Sequence, residues 1–371
     1  MKKVLVLSCN TGQGHNSAGL AIKEALERQG AFCELRDTLS FARRNTSRTI
    51  SGGYVGMTTK APALFGGVYR LGGAVSGLLH KRKSPVYYAN RRYAPQLGAY
   101  IRAGGFDAVV MPHLFPAEAL TYLKKQGLCV PCYAIATDYA CIPFWEETEP
   151  DFFFLPHGDL KGEFASKGIP EEKLLCWGIP VSARYNQRME KAEARRRLNL
   201  PEREPVFLVM TGSMGFGDIS SFTLDLLLQS PKSSQILILT GRNDALKARI
   251  EHDFASDSRV RAVPFTREVP VYMDACDVLL SKPGGLTSTE AAVKNVPLVH
   301  TRPIPGCETK NAAFFAARGL SQCSADPKAA AVLAARLAGD EAAKQAMLAA
   351  QRTEIPCDSA DRIATFILGN H

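Results

Sequence analysis

The chain has 371 residues, 46% of them hydrophobic, which is enough for two hydrophobic cores of ordinary size. No apolar run approaches the roughly 20 residues of a membrane-spanning helix, and the segment after Met1 shows no signal-peptide pattern. These features argue against a transmembrane or secreted protein, and we expect a cytoplasmic protein with two domains.

The net charge of +9 is concentrated in one stretch. Between Asp37 and Asp107 there is no acidic residue but there are 11 of the 45 Lys and Arg, so the remaining bases do not outnumber the 36 acids. Apolar anchors beside basic residues are typical of binding to an anionic membrane surface or lipid. A solvated basic helix face and single-stranded nucleic acid are the alternatives. We expect lipid contact and no nucleic acid, with these candidates: Tyr54, Phe65, Tyr69, Lys81, Arg82 and Lys83.

The N-terminal segment predicts a strand, a glycine loop and a helix. Residues 3–9 are an apolar run, and a Gly-x-Gly-His sequence that includes Gly14 and His15 precedes a helical pattern ending at Gly30. A histidine just inside a helix start feels the positive end of the helix dipole, which favours the neutral imidazole. His15 is therefore a candidate proton acceptor, and a histidine hydrogen-bonded at a helix start is the structural alternative.

Polar residues follow the next predicted strands, residues 108–114, 132–137 and 152–156. Ligands gather beyond the carboxyl ends of parallel strands, so His113 and Asp138 are expected in the same cleft as His15. A helix cap or a buried polar residue is the alternative for either side chain. Cys129 and Cys132 have redox or zinc spacing, but without a second cysteine pair or a nearby histidine we expect reduced packing residues.

The second half repeats the design of the first. A domain boundary is predicted after Pro180, and residues 206–210 then form an apolar run before a loop containing Gly212 and Ser213. Further strands are predicted at residues 235–240, 260–264, 278–280 and 297–301. Their alternation with helical spacers predicts a mostly parallel sheet with right-handed crossovers.

The residues that follow the predicted strand 278–280 suit a phosphate. A Pro-Gly-Gly turn interrupts the pattern, and Thr287 with Glu290 has the spacing of a capping box that opens a helix. A helix start offers unpaired N–H groups and the positive dipole end, and Lys282 adds a mobile charge. Glu290 could instead accept from a sugar hydroxyl. A plain structural corner remains the alternative.

Two motifs together resemble a known family. The run KPGGLTSTEA at residues 282–291, with PIPGCETKN at residues 303–311, is similar to the donor-binding signature of the monogalactosyldiacylglycerol synthase and processive diacylglycerol glucosyltransferase family. That family is related to the lipid II N-acetylglucosaminyltransferase. The Gly-x-Gly-His sequence also matches the family's N-terminal loop. Cys307 stands where the family usually has glutamine, which leaves the donor sugar open.

The resemblance implies the GT-B architecture, two Rossmann-like domains facing across a cleft. It implies an acceptor and membrane domain at residues 1–182, a nucleotide-sugar domain at 183–355 and a terminal helix at 356–371 that crosses back. It places the diphosphate at Gly212, Ser213, Gly284, Gly285, Leu286 and Thr287, where the charge of Lys282 would also hold phosphate oxygens. It places the ribose at Glu290, the sugar at Glu308 and Asn311, and the uracil at Phe265 and Thr266. Gly14 and His113 fall on the acceptor side.

The implied activity is inverting transfer of a hexose from a UDP-sugar to a lipid, with diacylglycerol as the expected acceptor. His15 is the first candidate base and Asp138 the second. No convincing Asp-x-Asp loop is present, so we expect fixed dipoles rather than a metal to stabilise the departing UDP. We expect peripheral association with the inner face of the cell membrane. A polyprenyl-linked acceptor, a UDP-sugar epimerase and a non-catalytic UDP-sugar sensor are the alternatives.

Overall fold

The computed structural model describes residues 1–9, 13–42, 83–212 and 218–369. The chain divides into two compact units. The described residues of the first lie within Met1–Ala183, Pro305–Cys307 and Pro356–His371, and those of the second lie within Arg184–Ile304 and Glu308–Ile355. Each unit contains a six-stranded, wholly parallel sheet. The predicted α/β class is confirmed.

The first unit alternates strands and helices. Its strands are β1 (Lys3–Ser8), β2 (Phe32–Asp37), β3 (Ala108–Met111), β4 (Cys132–Ile135), β5 (Phe152–Phe154) and β6 (Leu174–Leu175). Its helices before the domain boundary are α1 (Gln13–Arg28), α2 (Pro85–Arg91), α3 (Ala94–Gly104), α4 (Leu114–Lys125) and α5 (Lys161–Ser166).

The second unit has the same alternation. Its strands are β7 (Val206–Met210), β8 (Gln235–Gly241), β9 (Val260–Pro264), β10 (Val278–Ser281), β11 (Leu298–His300) and β12 (Gln322–Cys323). Its helices are α6 (Lys191–Arg197), α7 (Ile219–Gln229), α8 (Asp244–Asp253), α9 (Val269–Ala275), α10 (Gly285–Lys294), α11 (Cys307–Ala317), α12 (Pro327–Gly339) and α13 (Glu341–Glu354).

The central strands are apolar except at their ends because both faces of each sheet are covered. Val4, Leu7, Val206 and Val209 have no exposed surface, which explains why β1 and β7 are continuous hydrophobic runs rather than alternating ones. Among the helices of the described ranges, none is both long and apolar enough to cross a membrane.

Strand order marks one special position in each sheet. The orders are β2-β1-β3-β4-β5-β6 and β12-β11-β10-β7-β8-β9. The chain leaves β1 on one side and later returns on the other at β3, and it does the same between β7 and β10. Ligands of open α/β sheets bind at such switch points, beyond the carboxyl ends of the strands. His15 follows β1 and Lys282 follows β10, so both lie at a switch point.

The last helix, α14 (Ser359–Gly369), belongs to the first unit. Its Ile363 and Ile367 join the buried cluster that also contains Val6 and Ile22. The start of this helix packs against Gly178, which follows β6. Glycine is required there because φ is +92° and a Cβ would lie 2.3 Å from the Ser359 Oγ. The C-terminal segment thus completes the N-terminal core.

Candidate functional sites

Polar side chains gather at the switch point of the first sheet and form the histidine cluster: His15, His113, Thr137 and Asp138. His15 lies in the first turn of α1, His113 precedes α4, and the other two follow β4. The His15 and His113 rings meet edge to face with centroids 4.5 Å apart. The Asp138 carboxylate acts electrostatically on His15. The three predicted residues therefore lie close together.

The hydrogen bonds of His15 fix its tautomer. Its Nδ1 lies 2.9 Å from the Pro112 carbonyl oxygen and 3.0 Å from the Thr137 Oγ1. Because a carbonyl oxygen only accepts, Nδ1 carries the proton and donates it. The neutral ring therefore keeps a lone pair on Nε2, which is the atom that a general base uses.

Burial lowers the pKa of His15, and the Asp138 carboxylate and the Pro112 carbonyl offset part of that effect by favouring the charged ring. His15 is therefore unprotonated at neutral pH. The pKa of His113 is lowered well below its usual range by burial and by the neighbouring His15. The cluster thus presents two neutral imidazoles.

His113 has a structural role in the described chain. It is 8% exposed, and its Nδ1 accepts a hydrogen bond of 3.1 Å from the Phe115 N–H, so it caps the start of α4. This matches the structural alternative for His113 given by the sequence. A contact between His113 and an acceptor stays a prediction.

The turn between β10 and α10 forms the centre of a second site, the glycine corner: Gly212, Lys282, Gly284, Gly285, Leu286, Thr287, Glu290, Glu308 and Asn311. The helix begins at Gly285 with Gly284 as its N-cap, and no side chain caps it. The predicted capping box is wrong, because Thr287 already lies inside the first turn and cannot also be the extended residue before it. The glycines allow the earlier start.

Lys282 connects the two loops that meet at the second switch point. Its Nζ lies 3.5 Å from Glu308 Oε1, and both side chains are only 13% exposed. A Cβ on Gly212, where φ is +67°, would come within 3.6 Å of the Lys282 Cε. The lysine therefore lies close to Gly212, the last described residue before the predicted phosphate loop, and its contact with a phosphate stays a prediction.

Glu308 and Asn311, the residues predicted to bind the sugar, also form hydrogen bonds to the backbone of nearby turns. Glu308 Oε2 accepts from the Ile304 N–H at 2.7 Å, and the Asn311 Nδ2 donates to the Pro283 carbonyl at 3.0 Å. Asn311 has no exposed surface. Its amide thus fixes the turn before α10, and direct contact with a sugar hydroxyl stays a prediction.

Glu290 has a partner that the sequence did not reveal. Tyr185 and Glu290 are both buried, at 7% and 8% exposed, and the tyrosine side chain favours the ionised form of the Glu290 carboxyl. Burial raises the pKa of Glu290 to about 7, while Tyr185 and the Arg184 charge pull it downward. Tyr185 lies just beyond the domain boundary, and no sequence motif points to it.

Phe265 and Thr266 follow β9. Phe265 is 56% exposed, and the Arg242 guanidinium lies 4.8 Å from its ring centroid. Thr266 Oγ1 accepts from the Glu268 N–H at 3.0 Å. An exposed aromatic ring at the carboxyl end of β9 is compatible with stacking on a base, which stays a prediction.

A buried histidine forms a hydrogen bond to α10. The sequence analysis did not predict its role. His300, fully buried at the end of β11, bonds Ser288 on α10 through Nε2 at 2.9 Å and Ser321 through Nδ1 at 3.0 Å. Burial lowers its pKa to about 3, so the ring is neutral. It stabilises the orientation of the helix that begins at the glycine corner.

Some predicted residues fall outside the described chain: Tyr54, Phe65, Tyr69, Lys81, Arg82 and Ser213. Lys83 is described, and it is engaged within the first unit. Its Nζ lies 3.6 Å from Glu149 and also donates to the Glu147 carbonyl. Within the described ranges, no three His, Cys, Asp or Glu side chains are placed to hold a metal ion. Burial raises the pKa of Cys132 to about 12, so its thiol is a packing group.

Two protein-family models match the chain, one in each half. Residues 15–181 match the family described as monogalactosyldiacylglycerol (MGDG) synthase. Residues 206–353 match the glycosyltransferase family 28 C-terminal domain. The first match includes the histidine cluster, and the second includes the glycine corner.

A processive diacylglycerol beta-glucosyltransferase of Staphylococcus haemolyticus (strain JCSC1435) is 27% identical over 255 residues, 68% of this chain. The match spans 65% of that relative, less than two thirds of its length. Two solved structures have TM-scores of 0.64: Acinetobacter baumannii MurG at 15% identity and the Neisseria meningitidis UDP-GlcNAc 2-epimerase bound to UDP-GlcNAc at 14%. Each match covers 100% of both chains, and at this identity it shows the fold alone. The predicted GT-B fold is confirmed. As the motifs predicted, the N-terminal region is similar to the monogalactosyldiacylglycerol synthase family, and the C-terminal region is similar to the glycosyltransferase family 28 C-terminal domain.

Proposed function

We propose that this protein is an inverting glycosyltransferase that moves a hexose from a UDP-sugar to the hydroxyl group of diacylglycerol. The observation that carries the proposal is the pairing of two family matches, residues 15–181 with an MGDG synthase and residues 206–353 with a family 28 donor domain. A diacylglycerol beta-glucosyltransferase among the relatives supports the same acceptor.

The histidine cluster supports the acceptor half of the reaction. His15 Nε2 accepts the proton of the acceptor hydroxyl as its oxygen bonds to the anomeric carbon. The carbon–oxygen bond to the diphosphate breaks at the same time, and UDP leaves with the electron pair. A single in-line displacement inverts an α-linked donor to a β-glycoside. Asp138 stabilises the imidazolium that forms, since its charge favours the protonated ring.

The glycine corner supports the donor half. The first N–H groups of α10, together with Lys282, hold the diphosphate and stabilise the charge that develops on the departing UDP. Glu290 accepts from the ribose hydroxyls and Glu308 from the sugar. In this proposal fixed dipoles and the ammonium group do the work without a metal ion.

The membrane is the proposed place of action. The acid-free basic stretch carries the excess positive charge of the chain, and about 1 kcal/mol per basic residue near an anionic surface would keep the protein bound there. The proposed location is the inner face of the cell membrane, where UDP-sugars and diacylglycerol meet.

Transfer of radiolabel tests the proposal. The protein is incubated with UDP-glucose, UDP-galactose or UDP-N-acetylglucosamine, each labelled in the sugar, with vesicles that contain or lack diacylglycerol. The lipid extract is then separated by chromatography. We expect label in lipid only when diacylglycerol is present, in a product that a β-glycosidase cleaves. Label in lipid from polyprenyl-phosphate vesicles alone would contradict the acceptor, and interconversion of the UDP-sugars without transfer would indicate an epimerase.

A further inference from the structure

We propose that His300 is a positioning residue of the donor site, because its hydrogen bond to Ser288 holds the first turn of α10 in the orientation that the diphosphate requires. The inference rests on the proposed function, since it assumes that the first N–H groups of α10 receive the diphosphate of a UDP-sugar. His300 lies outside both sequence motifs and has no exposed surface, so it acts through Ser288 rather than on the ligand.

The sheet fixes the place of His300 relative to the glycine corner. His300 is the last residue of β11, and its partner in the parallel register with β10 is Ser281, the residue before Lys282. Its carbonyl accepts from the Ser324 N–H at 3.0 Å, and the Thr301 N–H donates to the Ser281 carbonyl at 2.9 Å. The histidine therefore lies at the same edge of the sheet as the turn that leads into α10.

The imidazole connects this edge of the sheet to α10. Its Nε2 is 2.9 Å from the hydroxyl oxygen of Ser288, in the first turn of the helix, and its Nδ1 is 3.0 Å from that of Ser321. His300 and Ser288 have no exposed surface, and Ser321 is 4% exposed. Because water cannot replace a hydrogen bond lost at such a depth, the buried bond favours one distance between β11 and the start of α10.

The same ring also packs against α11, the helix that carries the residues proposed to bind the sugar. The rings of His300 and Phe315 meet edge to face with centroids 5.3 Å apart, and Phe315 has no exposed surface. Glu308 and Asn311 lie on this helix. His300 therefore contacts both helices of the proposed donor site, and its bond to Ser288 fixes the start of α10 relative to α11.

The orientation of this turn matters because the helix start lacks another support of the same kind. Among the described residues, no side chain caps α10 at its N-cap, Gly284. N–H groups that bind an anion must keep their direction, since a hydrogen bond weakens steeply as it departs from linearity. The Ser288 N–H donates to the Gly284 carbonyl at 3.0 Å. The bond between Ser288 and His300 thus orients the turn without using the N–H groups that precede it.

Two replacements of the same histidine separate positioning from packing. A glutamine amide reaches about as far as Nε2 and can keep the bond to Ser288, whereas the shorter asparagine amide reaches about as far as Nδ1 and can keep the bond to Ser321. Calorimetric titration of the full-length proteins with UDP measures the difference. We expect UDP binding to be about threefold to tenfold weaker in His300→Asn and within about twofold of wild type in His300→Gln.

Ser288→Ala tests the same bond and keeps the histidine. Alanine favours the helix, so α10 should still form, and UDP binding should again weaken about threefold to tenfold. The control is Gln351→Met. It removes bonds of 3.0 Å to the Val296 and Leu320 carbonyls, which precede β11 and β12 at the opposite edge of the sheet from His300. This variant should have a lower melting temperature but bind UDP within about twofold of wild type.

The outcomes separate the two proposals. If the wild-type protein binds UDP and the Asn and Gln variants of His300 bind it equally, the positioning role is wrong while the proposed function stands. If either variant does not fold, Ser288→Ala decides, and unchanged UDP binding in it overturns the role. A loss in Gln351→Met as large as that in Ser288→Ala would assign the effect to general destabilisation and also overturn it. If the wild-type protein does not bind UDP, the proposed function fails and this inference fails with it.

Discussion

The histidine cluster and the glycine corner occupy the same place in two sheets of similar design, yet their chemistry differs. Both lie at a switch point, where a strand leads into the start of a helix. In the first unit the helix start carries an imidazole whose pKa is lowered by burial. In the second it follows an ammonium group that is paired with Glu308. One position therefore favours a neutral proton acceptor and the other a fixed charge.

The fold supplies a helix dipole and backbone N–H groups at both sites. The few side chains around each helix start determine which chemistry that site favours. In the first unit, burial of the imidazole near the helix start keeps His15 neutral. The second unit leaves the helix start without a side-chain cap, as an anion site requires. If this comparison is correct, mutations at the two sites should separate turnover from donor binding.

The largest effect is expected for His15→Ala, which removes the proton acceptor. We expect kcat to fall about 10²-fold to 10⁴-fold, while the KM for the UDP-sugar changes less than about twofold. Steady-state kinetics with saturating diacylglycerol vesicles measure both. His157→Gln is the matched control, because His157 caps a short helix in the same unit and should leave kcat unchanged. Unchanged turnover in His15→Ala would remove His15 from the base role.

Lys282→Ala should act mainly on the donor. Loss of a charge-assisted contact of roughly 2 kcal/mol corresponds to a KM for the UDP-sugar about 30-fold higher. The control is Lys247→Ala, which removes a partly exposed lysine paired with Glu251 in the same unit. A drop in kcat at unchanged KM would mean that Lys282 acts only in the transition state.

The pH profile should distinguish the sites without mutation. The pKa of His15 is lowered, so at saturating donor the acid limb of kcat should lie below pH 6.5. The pKa of Glu290 is about 7, so kcat/KM for the donor should begin to fall at a higher pH than kcat does as the pH is lowered. Well below pH 7 it should fall about tenfold for each pH unit. Rates measured from pH 5 to pH 9 give both curves. If kcat and kcat/KM for the donor fell over the same acidic pH range, the assignment of two different titrating groups would be contradicted.

The smallest effect is expected for Thr137→Val, which removes the hydroxyl 3.0 Å from His15 Nδ1 but keeps the side-chain shape. The Pro112 carbonyl still fixes the tautomer, so kcat should fall only about threefold. Thr121→Val is the control, because it removes a buried hydroxyl bonded to the Ala117 carbonyl within α4. A loss as large as that of His15→Ala would show that Thr137, rather than the backbone, holds the ring.

The sequence predicted most of what depends on local pattern. The runs at residues 206–210 and 260–264 became β7 and β9 with the same bounds. For β7 the reason is that a buried parallel strand is continuously apolar. The start of α10 was placed too late, because the Thr287 and Glu290 spacing resembled a cap while glycine set the true start. Tyr185 and His300 were missed because their partners are distant in sequence, and only folding makes them neighbours.

The Lys282–Glu308 pair bears on selectivity among anions. The two charges lie 3.5 Å apart, so under the proposed function free phosphate or a metabolite carboxylate would have to compete with Glu308 for the lysine. A sugar diphosphate would offer an anion for Lys282 and hydroxyl donors for Glu308 in one molecule. After transfer, UDP would lack the sugar hydroxyls, and re-formation of the ion pair would favour its release. In this proposal the pair links discrimination against simple anions with escape from product inhibition.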